Sequence, residues 1–116
     1  MKSVYFIGSA REDLKSFPEE VRQDIGYALY EAQGGRKSWA AKPLRGFGGA
    51  GVLEIIEDYL GDTYRAVYTV RFSEAVYVLH CFQKKSKRGI KTALQDIELI
   101  KRRLKAAEDD DQARMR

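Results

Sequence analysis

A chain of 116 residues has the size of one domain and can bury a single core without disulfide or metal staples. Apolar residues make up 44% and charged residues 33%, which excludes a disordered chain, and no stretch approaches the ~20 apolar residues of a membrane span. The net charge is +4; Glu108–Arg116 carries four acids against two arginines, so residues 1–107 carry +6, a balance that suits an anionic partner, nucleic acid first.

Val4–Ile7 reads as a short strand ended by Gly8. Ser9 is placed as a helix N-cap with Glu12 as its capping-box partner, opening a helix over about Ala10–Ser16. Phe17-Pro18 breaks it, because proline restricts the residue before it and suits a first helical turn. A second helix spans about Pro18–Gln33, with Val21, Ile25, Ala28, Leu29 and Ala32 on one stripe and Gly34-Gly35 as the stop. Residues 36–51 read as a glycine-rich, basic connection: Arg36, Lys37, Lys42 and Arg45 are its cations. GFGGAG is neither a Walker loop nor a GxGxxG fingerprint, and a strand follows it rather than a helix.

Three strands then come with short connections, Val52–Glu57, Tyr64–Phe72 and Ala75–Phe82, which predicts an antiparallel meander. A helix over about Ala93–Ala107 follows, with Thr92 as N-cap and Leu94, Ile97, Ile100 and Leu104 as its buried stripe. EDDDQARMR has no apolar period, so residues 108–116 are expected to be a disordered charged tail after one domain over 1–107. The order β-α-α-β-β-β-α predicts an α+β sandwich of two layers, helices against a meander sheet.

Alternation places Arg65, Val67, Thr69 and Arg71 on one face of the second meander strand, opposite the more apolar Tyr64, Ala66, Tyr68, Val70 and Phe72. In the third strand, Val76, Val78, His80, Phe82 and Lys84 share one parity. One choice of facing gathers Glu54, Arg65, His80 and Lys84 on a single open face; both outer strands are apolar on both parities and leave that choice open. Lys84, Lys85, Lys87, Arg88 and Lys91 crowd the end of the last strand. Such a set suits RNA cleavage without a metal, which needs a base for the 2′-OH, cations for the phosphorane-like transition state and an acid for the leaving oxygen. The one histidine and one cysteine, adjacent in a strand, face opposite ways, so no metal site and no cofactor is expected. Cys81 is a small buried hydrophobe, and a single cysteine fits a reducing compartment. The first apolar run is too short for a signal peptide, so the expected location is cytoplasmic.

Three stretches, KPLRGFGGAGVLEI (Lys42–Ile55), TYRAVYTV (Thr63–Val70) and VYVLHCFQKKSKRGIKTALQDIELIKRRLKAA (Val76–Ala107), resemble the RelE/ParE superfamily of toxins from type II toxin–antitoxin modules. Within it the chain is similar to the phage-derived, HigB-like branch. The resemblance implies a ribosome-dependent mRNA endonuclease neutralised by a cognate antitoxin, commonly a helix-turn-helix protein, with hetero-oligomeric toxin–antitoxin assembly. It implies catalytic roles for Arg65, Lys84, Lys85, His80 and Glu54, and RNA contacts by Lys42, Arg45, Lys87, Arg88 and Lys91. Ala93 stands where many members have proline, and no tyrosine follows Tyr77, so the acid and base stay unassigned. Two other readings remain open, a ParE-like toxin that inhibits a topoisomerase by binding, and an inactive member that only binds its antitoxin.

Overall fold

The structure, a computed structural model, describes residues 1–49, 51–84 and 92–116. Its elements are β1 (Ser3–Phe6), α1 (Ala10–Lys15), α2 (Glu19–Gln33), β2 (Ala41–Pro43), β3 (Val52–Tyr59), β4 (Asp62–Thr69), β5 (Ala75–Lys84) and α3 (Leu94–Arg114). The strands form one sheet in the order β1-β5-β4-β3-β2. The expected meander is β3-β4-β5, antiparallel throughout. Two features go beyond it. β1 lies parallel to β5, and a short strand β2 precedes the glycine loop and pairs antiparallel with β3. Three residues containing Pro43 carry little strand signal; β2 accepts the proline because it is an edge strand, where one missing N–H goes unmissed.

The β3–β4 hairpin turns on two residues, Leu60 and Gly61, both with positive φ (50° and 88°), so β3 runs on through Asp58 and Tyr59 instead of ending at Glu57. That backbone matches the right-handed twist of the strands and comes at a cost for Leu60 of about 1–2 kcal/mol. The β2–β3 connection uses Gly46, Gly48, Gly49 and Gly51 at positive φ. Gly51 is required twice over: its φ is +71°, and a Cβ there would stand 3.3 Å from the Arg71 backbone nitrogen.

The sheet is buried on both faces. The stripe of α2 (Val21, Ile25, Ala28, Leu29, Ala32) packs with α1 on Leu53, Ile55, Tyr64, Ala66, Tyr68, Val76 and Val78. On the opposite face Ile97, Ile100, Leu104 and Ala107 of α3 meet Val52, Val67, Tyr77, Leu79 and Phe82. The α+β class is as expected, but α3 makes a third layer. The strands were apolar on both parities because both faces are covered. Leu94, placed by periodicity in the buried stripe, is exposed, and the stripe starts at Ile97.

The expectation of a disordered tail is overturned: α3 continues to Arg114. Polar contacts replace the missing apolar period. Tyr77 donates its hydroxyl to Asp110 (2.6 Å), Arg71 pairs with Glu108 (2.8 Å), Arg114 pairs with Asp110 (2.8 Å), and the Arg114 guanidinium lies 3.7 Å from the Tyr5 ring centroid. Burial and the Asp110 carboxylate push the Tyr77 hydroxyl well above its usual range, so it stays a donor.

On the α2 face, Glu57 sits against Asp24. Burial first, then its hydrogen bond to Asp24 and the charges of Asp24 and Asp58, push its carboxyl from 4.5 to about 7. A raised carboxyl means that the folded chain binds a proton the unfolded chain has lost. Its contribution to stability is therefore complete below about pH 4.5 and lost as pH rises through about 7. Glu57→Gln is expected to flatten the fall in Tm over that window and to be the more stable protein at its alkaline end, read from thermal melts across pH.

Candidate functional site

A groove of about 810 Å³ opens on the α3 face of the sheet, lined by β2 and the residues after it, by β3 and β4, and by the start of α3. Register explains its contents. Lys42 lies opposite Glu54, Glu54 opposite Val67, and Arg65 between Ile56 and Phe82. Glu54, Arg65 and Lys42 therefore share one face, and Arg45 reaches the same groove from just beyond β2.

Arg65 and Glu54 are buried at its floor, 3% and 4% exposed. Arg65 Nη1 donates to Glu54 Oε2 at 3.0 Å and to Thr92 Oγ1 at 3.0 Å, and the Thr92 hydroxyl donates to the same Oε2 at 2.8 Å. A buried ion pair is tolerated when hydrogen bonds surround it, and Thr92 closes this one into a triangle. Among the described residues both hydrogen bonds of Glu54 fall on Oε2. Thr92 is thus not the helix cap its position suggested: Ala93 caps α3 without a side-chain bond. A threonine before a helix looks the same in sequence whether its hydroxyl serves the helix or a distant carboxylate.

His80 reaches this face by an irregularity. Val67 pairs with His80 but Tyr68 pairs with Val78, so β5 carries one extra residue there. The bulge breaks the expected parity: Val76 and Val78 face α2, whereas His80, Phe82 and Lys84 face the other way. His80 is 7% exposed, stacks on Phe82 (4.4 Å) and bonds Asp96 of α3 through Nε2 (2.9 Å). It pins α3 to β5 and is not among the groove-lining residues. Asp96 was not singled out in the sequence, since only the tertiary fold brings it to His80. Lys84 ends β5 opposite Thr63, half-buried. Lys85, Lys87, Arg88 and Lys91 lie outside the described residues. Cys81 is buried on the α2 face, and burial pushes its thiol up to about 12, which makes it an inert packing residue.

Arg65, Lys42 and Arg45 give the groove three cations, against Glu54 and Asp58, and the Asp58 carboxylate already accepts a hydrogen bond from Thr63 Oγ1 (2.9 Å). Chemically this is a positive, partly enclosed channel with a fixed guanidinium and a carboxylate at its floor.

This arrangement of sheet and helices matches the fold of the RelE toxin. The crystal structure of the isolated E. coli RelE toxin matches at a TM-score of 0.53 and 23% identity, over 88% of this chain and 98% of that one. Residues 12–105 match the family of phage-derived Gp49-like proteins, and the chain belongs to that family. No curated protein matches the chain.

Proposed function

We propose that this protein is the toxin of a type II toxin–antitoxin module and a metal-independent, ribosome-dependent mRNA endonuclease of the HigB-like kind. The observation that carries the reading is Arg65, a guanidinium buried at the floor of a basic groove and held there by Glu54 and Thr92. A cation fixed in advance costs no reorganisation as charge develops on a phosphoryl group, which is where it accelerates most. In the step itself the 2′ oxygen attacks the adjacent phosphorus, its proton passes to a base, the P–O5′ bond breaks and the 5′ oxygen takes up a proton. The products are a 2′,3′-cyclic phosphate and a 5′-hydroxyl. Glu54 is the base that the groove offers, and Arg65 faces the pentavalent phosphate. Lys42, Arg45 and Lys84, with Lys85, Lys87, Arg88 and Lys91 beyond it, supply charge for the RNA backbone. His80 serves as a positioning residue through Asp96 rather than as acid or base.

An antitoxin of the helix-turn-helix kind, with an acidic segment, would neutralise the groove by charge. No helix among the described residues is long and apolar enough to cross a membrane, and the site of action in this reading is the cytoplasmic ribosome. The test is a pair of assays on the purified chain. Cleavage of mRNA on translating ribosomes, with unchanged gyrase supercoiling, is the expected result; inhibition of supercoiling without cleavage would establish the ParE-like alternative instead. Absence of both effects, with antitoxin binding retained, would mark an inactive member.

A further inference from the structure

Trp39 is 96% exposed, the most exposed large hydrophobic side chain on the described surface. Its display is built, not accidental. Ser38 beneath it is 6% exposed; the Ala40 amide donates to Ser38 Oγ (3.2 Å) and the Ala41 amide to the Ser38 carbonyl (3.0 Å). The turn is fixed by those bonds, and it holds an indole in water where none of the described residues covers it. Three residues on, Lys42 lines the groove, so the two Cα atoms lie within about 10 Å of each other. The surrounding segment 34–51 carries Arg36, Lys37, Lys42 and Arg45 and no acid.

An exposed aromatic ring in a segment that carries cations and no acid suits a base whose phosphates are held by the neighbouring charges. An apolar protein partner has no use for a segment that carries four cations and no acid, so charge favours a polyanion. We propose that Trp39 is a stacking platform for an unpaired base of the RNA strand that enters the groove, with Lys42 and Arg45 taking the flanking phosphates. This rests on the reading of the groove as an RNA site and extends it to a contact outside the reacting atoms.

Trp39 is the only tryptophan, so the intrinsic emission of the full chain reports on it alone. The probe is a short unpaired oligoribonucleotide with 2′-O-methyl groups at every sugar, which binds but offers no 2′-OH to react. Titration is expected to quench the emission in a salt-dependent way, and the same sequence as a duplex to quench far less. Trp39→Ala is expected to keep the wild-type Tm and weaken binding about 5- to 150-fold, with Trp39→Phe retaining most of the affinity. Absence of quenching, or unchanged affinity in Trp39→Ala, overturns the platform. An emission change produced only by a partner protein also overturns it, in favour of a docking surface. Ribosomal cleavage is scored separately. Cleavage without quenching removes the platform and leaves the nuclease reading, whereas quenching without cleavage does the reverse.

Discussion

Arg65→Ala is expected to lower ribosomal mRNA cleavage by at least about 10²–10³-fold, the usual effect of deleting one preorganised donor to a transition-state charge. It is also expected to destabilise the protein. Glu54 would be left as a buried carboxylate, only 5% exposed at the side chain, with Thr92 as its remaining partner. Breaking one side of a buried pair typically costs about 3–5 kcal/mol. Loss of activity in this variant alone would therefore be ambiguous. Glu54→Gln combined with Arg65→Met removes both charges, and it is expected to recover most of the lost Tm while remaining inactive. Arg65→Lys keeps the charge but not the planar fork, so cleavage should fall with a smaller change in Tm. Full cleavage by folded Arg65→Ala protein would remove Arg65 from the mechanism and the proposed chemistry with it.

The second large effect is expected from ending the chain after Ala107. By sequence pattern alone this deletion should be silent, because residues 108–116 carry no apolar period. In the fold it strips Asp110 from the buried side of the Tyr77 hydroxyl, Glu108 from Arg71 and Arg114 from Tyr5. An unsatisfied hydroxyl costs about 1–3 kcal/mol, and the cation–π contact of the half-exposed Arg114 adds little. The Arg71–Glu108 pair is about one-third exposed on both sides and adds little. The truncated protein is expected to be about 1–3 kcal/mol less stable, read by chemical denaturation, with Tyr77→Phe reproducing part of the loss. A denaturation midpoint equal to that of the full chain would show that the tail is dispensable for α3.

Strong local periodicity was legible, and weak or long-range signals were not. The stripe from Val21 to Ala32 gave α2 and its buried face, and the Phe17-Pro18 break separated α1 from α2. The strand β2 was missed because three residues with a proline make no pattern of their own; they pair because β3 presents an open edge. Gathering Arg65 and Glu54 on one face was one of two choices that alternation allowed. The β5 bulge then moved His80 to that face against its parity with Val76 and Val78, and no residue in VYVLHCF announces the extra position.

By itself the sequence determined the class of fold, the helices and meander, the basic balance of the chain and the arginine at the head of β4. These are properties of short windows or of composition, where each residue's preference acts on its own neighbours. Only the tertiary structure decided that α3 covers the second face of the sheet, that Thr92 spends its hydroxyl on Glu54 and Arg65, and that His80 faces Asp96 instead of the groove. The hydrogen bonds among them join residues from 16 to 38 positions apart. A buried polar group must take whatever partner the packing brings within hydrogen-bond reach, and that partner is fixed by the register and layering of the whole sheet rather than by the residues beside it.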